Sequence, residues 1–124
     1  MTRIVICEDN QQLCRLLERG VEQDGLKVTV TSTVRDCLDT LSREGADLVL
    51  IDILLKGENT LALIRQLRAE HRALKIVAMT GAGHALACAA MAQGADSVLE
   101  KPFLLDTLED LVASLVPAPA AAQG

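Results

Sequence analysis

A doubly wound α/β domain, built from five strands that are each followed by a helix, is the fold this sequence predicts. Three observations carry that expectation. Short runs rich in Val and Ile alternate with longer stretches whose apolar residues recur three and four positions apart. The first, third and fourth runs are almost wholly apolar, as strands are when helices cover both faces of a parallel sheet. And 124 residues, 50% of them hydrophobic, fill one domain and leave no room for a second of ordinary size.

The first strand is expected at residues 4–7 (Ile4, Val5, Ile6, Cys7). It leads through Asn10, a candidate N-cap, into a helix with the stripe Leu13, Leu16, Leu17 and Val21. Gly20 and Gly25 read as stop signals at that helix's end. The second strand follows at residues 27–31. Ser32 or Thr33 then caps a helix with Val34, Cys37, Leu38 and Leu41 on one side, which Gly45 ends. The third strand covers residues 48–51, and Asn59 or Thr60 opens a helix marked by Leu61, Leu63, Ile64 and Leu67. The fourth strand, residues 75–79, precedes an Ala-rich helix (Ala85, Cys88, Ala89, Ala92) between Gly83 and Gly94. The fifth, residues 97–99, precedes the leucine stripe Leu104, Leu105, Leu108, Leu111, Val112 and Leu115. Right-handed crossovers join such units into one open sheet. The domain is expected over residues 1–116. Residues 117–124, rich in Pro and Ala, have linker composition and fit either a terminus or a connection to a further domain.

Composition excludes several functions. The chain has one Phe and no Tyr or Trp, so its core must be aliphatic and it lacks the platforms on which nucleic-acid modules stack bases. An aromatic-lined peptide groove is excluded likewise. A net charge of −5 offers no basic excess for direct binding to nucleic acid or to anionic membranes. The four cysteines (Cys7, Cys14, Cys37, Cys88) form no CxxC pair and no zinc spacing. They are expected to be reduced, buried thiols of a cytoplasmic protein. No signal peptide is visible, and the longest apolar run, residues 85–92, is too short to span a bilayer.

In folds of this class ligands bind beyond the carboxyl ends of the strands. There the sequence places Glu8 and Asp9 after the first strand, Asp52 at the end of the third, Thr80 after the fourth, and Lys101, Pro102 and Phe103 after the fifth. Carboxylates about 5 Å apart at an effective dielectric of about 20 repel by roughly 3 kcal/mol per pair. Either some are protonated or a cation lies among them. Oxygen donors without His or Cys suit Mg2+. A divalent cation, an amine and a hydroxyl together are the equipment for stabilising a transferring phosphoryl group, and Asp52 is the natural nucleophile.

These residues resemble the receiver domain of two-component response regulators, the family that includes single-domain chemotaxis regulators. The matching pieces are Ile4-Val5-Ile6-Cys7-Glu8-Asp9-Asn10, the run from Asp47 to Asp52, Ile76-Val77-Ala78-Met79-Thr80-Gly81, and the run from Gly94 to Phe103. The likeness spans about residues 1–116. It implies a flavodoxin-like parallel sheet in the order 2-1-3-4-5, with two helices on one face and three on the other. It implies that Asp52 accepts phosphate from a sensor histidine kinase or phosphotransfer protein. Glu8, Asp9, Asp52 and the Leu54 carbonyl would hold Mg2+. Thr80 and Lys101 would bind the phosphoryl oxygens, and Lys101-Pro102 would be a cis peptide. The resemblance further implies an output surface on the fourth helix, fifth strand and fifth helix, a possible homodimer, and no catalysis beyond the domain's own phosphotransfer and dephosphorylation.

The chain departs from the family pattern at three places. Val98 stands where a switch aromatic is usual, Lys56 where Pro is usual and Thr60 where Gly is common. Leu54 and Ala82, apolar beside the acids, predict a long-lived phosphoryl group because neither side chain can orient an attacking water. Other residues read as structural: Asp47 as a loop acid, Glu100, His71 and His84 as surface residues, Cys7 as core, and Lys56 as a substitution without consequence or a determinant of kinase choice. Competing functions fare worse. A flavin or nucleotide binder needs a Gly-rich loop after the first strand, where this chain has Glu8-Asp9-Asn10-Gln11. An aspartyl-phosphate hydrolase would resemble Asp-x-Asp, but the second acid is replaced by Leu54. A receiver fold that has lost phosphorylation would not be expected to keep all the key residues.

Overall fold

Along the strands, residue parity decides which layer a side chain joins. In β1 (Thr2–Cys7) Ile4 and Ile6 enter one core cluster while Val5 and Cys7 enter the other. The same alternation runs through β3 (Leu48–Asp52), with Leu48 and Leu50 on one side and Val49 and Ile51 on the other. The structure, a computed structural model, describes residues 2–21, 25–81 and 83–116. The expected tail at residues 117–124 lies outside the described residues, as does Ala82.

The remaining main strands are β2 (Leu26–Thr31), β6 (Lys75–Thr80) and β7 (Ser97–Glu100), so the fourth and fifth strands of the sequence reading are β6 and β7. All pair in parallel in the order β2-β1-β3-β6-β7, the expected flavodoxin-like order. One face is covered by α1 (Gln11–Val21) and α5 (Leu105–Leu115), through Leu17, Val21, Leu108 and Val112. The other is covered by α2 (Val34–Glu44), α3 (Leu61–Glu70) and α4 (His84–Gln93), through Cys37, Leu41, Ile64, Leu67 and Ala90. The central strand β3 is buried along its whole length, because both neighbours and both helical layers close over it.

Helix ends follow the expected capping chemistry with one exchange. Asn10 Oδ1 accepts from the Leu13 N–H at 3.0 Å, and Thr33 Oγ1 from the Asp36 N–H at 3.0 Å. At α3 the Leu61 N–H goes to Asn59 Oδ1 at 2.9 Å, while the Thr60 hydroxyl is engaged elsewhere. Gly20 stands one residue before the last residue of α1, Val21. It lies within α1, and a Cβ there would come 2.7 Å from side-chain carbons of both Leu105 and Leu108, so it lets α1 and α5 approach closely.

One element has no counterpart in the sequence reading. After β3 the chain makes a small antiparallel hairpin of β4 (Leu54–Leu55) and β5 (Glu58–Asn59). Its two turn residues, Lys56 and Gly57, have φ of 51° and 78°. Positive φ at both central positions belongs to the turn type that matches strand twist in two-residue hairpins. Proline, with φ locked near −65°, cannot occupy such a position, which accounts for the departure at Lys56.

Candidate functional site

Strand register gathers the polar residues at one end of the sheet. Cys7 stands opposite Ile51, so Glu8 and Asp52 leave their strands at the same level. Asp52 stands opposite Met79, which sets Thr80 one step beyond. Thr80 stands opposite Glu100, and the Lys101 N–H bonds the Thr80 carbonyl at 2.7 Å. Residues far apart in the chain thus meet because each stands at or just past the carboxyl end of a strand.

Lys101 Nζ bridges the two buried acids, 2.7 Å from Glu8 Oε1 and 3.0 Å from Asp52 Oδ2. Glu8 is only 1% exposed. Its other oxygen accepts from the N–H groups of Asp9 and Asn10 at 3.0 and 3.2 Å, so the carboxylate sits in the backbone turn that opens α1. Cys14 donates its thiol to the Glu8 carbonyl at 3.2 Å. Asp52 Oδ1 accepts from the Leu54 N–H at 3.1 Å. Asp9 is exposed, Leu54 is exposed and Thr80 is buried. The Lys101–Pro102 peptide is cis.

Burial pushes the Glu8 carboxyl above its usual range, although Lys101 and the Asn10 N–H oppose the shift. For Lys101 burial disfavours the charge, but the Glu8 and Asp52 carboxylates outweigh it and hold the ammonium above its ordinary value. Glu8, Asp9 and Asp52 each offer an oxygen within 4.8 Å of the others. Three carboxylates against one ammonium leave the cluster short of positive charge. An all-oxygen donor set with that deficit fits Mg2+. A cleft of about 910 Å3 opens beside Glu8 and Asp9 and is bordered by Arg15, Arg43 and Lys56.

Thr60, read from sequence only as a cap or a departure, belongs to this site. Its hydroxyl lies 2.8 Å from the Asp52 carbonyl. A buried hydroxyl inside a polar loop gives no sequence signal beyond capping, which is why that role was missed. Val98 packs half-buried against the α2–α3–α4 side of the sheet, whereas Phe103 packs against the α1–α5 side. The lone aromatic therefore stands across the sheet from position 98. Asp47 is structural. It accepts the Arg3 N–H at 2.8 Å, and its carbonyl accepts the Lys75 N–H at 3.0 Å, bracing β1 against β6. His71, His84 and Glu100 are exposed. Cys7, Cys14 and Cys37 are buried, as expected; the hydrogen bond to Cys37, together with burial, pushes the Cys7 thiol up. Cys88 corrects the expectation of four buried thiols. It is exposed, with its sulfur 3.3 Å from His84 Nε2, because the Ala-rich α4 turns that face to solvent.

The model of the response regulator receiver domain matches residues 4–113. The DNA-binding transcriptional regulator NtrC of Klebsiella pneumoniae is 33% identical over 108 residues, which is 86% of this chain and 23% of that protein. The chain spans between 23% and 35% of the length of the curated relatives NtrC, PfeR and DctD. Among solved structures, the response regulator signal receiver domain from Bermanella marisrubri superposes with a TM-score of 0.84 at 29% identity, covering 94% of this chain and 100% of that one. A response regulator from Burkholderia pseudomallei, solved with a phosphorylated aspartic acid, a calcium ion and citrate, gives a TM-score of 0.80 at 26% identity, covering 99% and 71%.

Proposed function

The chain belongs to the response regulator receiver domain family of two-component signalling, and on that premise we propose that Asp52 accepts a phosphoryl group in a Mg2+-dependent reaction. The carrying observation is the position of Asp52. It ends the most buried strand, has both side-chain oxygens already oriented, and has two further carboxylates within 4.8 Å.

The donor is a phosphohistidine on a sensor histidine kinase or phosphotransfer protein. An Asp52 carboxylate oxygen bonds to phosphorus as the P–N bond breaks, and the donor imidazole leaves with the electron pair. Lys101, held on Glu8 and Asp52 at rest, redirects one N–H hydrogen bond to a phosphoryl oxygen. The Thr80 hydroxyl serves a second phosphoryl oxygen. Glu8, Asp9, Asp52 and the Leu54 carbonyl would hold Mg2+, which supplies charge neutralisation to the transferring group. Leu54 brings no polar side-chain atom with which to orient an attacking water, so the adduct is expected to outlast seconds. The presence of bound calcium and a phosphorylated aspartate in the Burkholderia pseudomallei relative supports this reading.

Phosphorylation would favour one of two pre-existing conformations and so change the α4–β7–α5 face, where a partner or a second copy docks. Residues 1–116 form the receiver domain in this proposal. Because the chain spans only part of its relatives, DNA binding of the kind named for NtrC would belong to a separate output domain. A cytoplasmic location accords with these partners, and among the described residues no helix is long and apolar enough to cross a membrane.

Intact-mass measurement after acetyl phosphate, and binding of beryllofluoride, test the proposal with and without Mg2+. A Mg2+-dependent adduct is expected on the wild-type chain and not on Asp52→Asn. No adduct on wild type, or an undiminished one on the variant, overturns it, and decay within seconds overturns the long lifetime.

A further inference from the structure

We propose that Thr60 is a positioning residue that aims the Asp52 carboxylate for phosphoryl transfer, an inference that rests on the reading of Asp52 as the acceptor. Beyond Asp52 the strand's backbone loses its neighbours. The β1 ladder stops at the pair Cys7 and Ile51, and β6 supplies the Met79 carbonyl to the Ile53 N–H at 2.9 Å. The carbonyls of Asp52 and Ile53 therefore need N–H or O–H donors from elsewhere, because an unpaired buried carbonyl is costly. Thr60 meets both. Its N–H donates to the Ile53 carbonyl at 2.7 Å, and its hydroxyl lies 2.8 Å from the Asp52 carbonyl and 3.2 Å from that of Ile53. A hydroxyl has one proton to give. Ile53 already has an N–H donor and the Asp52 contact is the shorter, so the proton goes to Asp52.

The consequence reaches the carboxylate through the loop. Asp52 Oδ1 is held by the Leu54 N–H, and Leu54 opens the β4–β5 hairpin that ends at Asn59 beside Thr60. Thr60 is 1% exposed and fastens the far end of that hairpin to the acceptor's own peptide. One side chain thereby fixes the carbonyl of Asp52 and the loop that supplies a donor to its Oδ1. A carboxylate turned by a few tenths of an ångström loses its line on the incoming phosphorus, so its maximal rate falls while donor binding is spared.

The test compares Thr60→Val, which keeps the shape and removes the hydroxyl, Thr60→Ala as a second hydroxyl-free variant, and Thr60→Ser, which keeps the hydroxyl. Adduct formation from acetyl phosphate is followed at saturating Mg2+ and at a temperature where circular dichroism shows each variant folded. Expected is a fall of about tenfold in maximal rate for the folded hydroxyl-free variants, with the half-saturating acetyl phosphate concentration unchanged, and recovery to within about twofold in Thr60→Ser. Equal rates for wild type and the hydroxyl-free variants, or a Thr60→Ser variant as slow as they are, overturn the proposal. Absence of adduct on the wild-type chain overturns instead the acceptor reading on which it rests.

Discussion

Glu8 is the residue whose chemistry is most at odds with its surroundings. It carries a carboxylate in a site 1% exposed to solvent, answered by one ammonium and two N–H groups. Burial raises its proton affinity above the usual 4.5 more than those partners lower it. A carboxyl raised on folding contributes stability that is complete below the unfolded value and is lost as pH rises through the folded one. In the metal-free chain an ionised Glu8 is therefore a cost at neutral pH. Glu8→Gln, close in shape and uncharged, is expected to gain on wild type progressively as pH rises from about 4.5 toward neutrality, measured by urea unfolding in chelator at matched ionic strength. A difference that stays flat with pH would refute this. Lys101 has the same sign of shift but a different window, since its contribution persists through neutral pH and fades only as pH climbs beyond 10.5. At this scale the acids and the lysine were legible in the sequence, because a charged residue at the end of an apolar strand lacks a packing role. Thr60 was not, because a hydroxyl before a helix already has the ordinary use of capping.

Elements were legible where periodicity had room to act. The five main strands and all five helices lie along the chain where the runs and stripes put them, with ends shifted by one or two residues, as at Thr2, Leu26, Thr80 and Glu100, but α4 buries Ala87 and Ala90 while the expected Ala85, Cys88 and Ala92 face solvent. The β4–β5 hairpin was invisible because two-residue strands carry no period, and its turn shows only in the positive φ of Lys56 and Gly57. Gly94 illustrates the opposite case, a stop signal that does more than stop a helix. It ends α4 with φ of 114°, and a Cβ there would fall 2.8 Å from Arg68 Cγ and 2.9 Å from Arg68 Cβ. Arg68 joins α3 to the turn before β7. It donates to the carbonyls of Gly94 and Leu74 at 2.9 and 2.8 Å and pairs with Asp96, whose carboxylate also accepts the Ile76 N–H at 2.8 Å. Gly94→Ala thus combines a backbone conformation that side chains avoid with displacement of that arginine. A loss of about 2 kcal/mol or more is expected in urea unfolding, the sum of a strained φ and a forced contact. A loss below about 0.5 kcal/mol, the range of ordinary surface substitutions, would show that Arg68 swings aside freely and that the turn is not tied to it.

At the scale of the molecule, an apolar sheet closed on both faces gathers its buried carboxylates, Glu8 and Asp52, at one rim, and that concentration has a thermodynamic signature. Two helical layers and parallel register bring Glu8 and Lys101, 93 residues apart in sequence, into direct contact. The fold was legible because every level agreed on it: strand composition, helix stripes, caps and length. The route by which a phosphoryl group on Asp52 would alter the proposed α4–β7–α5 face was not, because it would depend on the relative free energies of two conformations and on an aliphatic Val98 whose packing only the fold reveals. The rim charge itself can be tested without any phosphoryl donor. A cation that binds the folded acids and not the unfolded chain stabilises by mass action, by about 2.7 kcal/mol at a hundredfold excess over its dissociation constant. For a domain of this size that corresponds to a rise in Tm of roughly 10 °C. Asp9 separates this effect from the integrity of the core, because it is exposed while its oxygen stands within 4.8 Å of those of Glu8 and Asp52. The wild-type chain is expected to show a saturable rise in Tm with MgCl2, whereas NaCl at equal ionic strength has little effect. Asp9→Asn should unfold near the wild-type temperature in chelator yet lose most of the rise. An equal rise in the variant would remove Asp9 from the cation's ligands, and a rise that NaCl reproduces would mean that Mg2+ acts only as ionic strength.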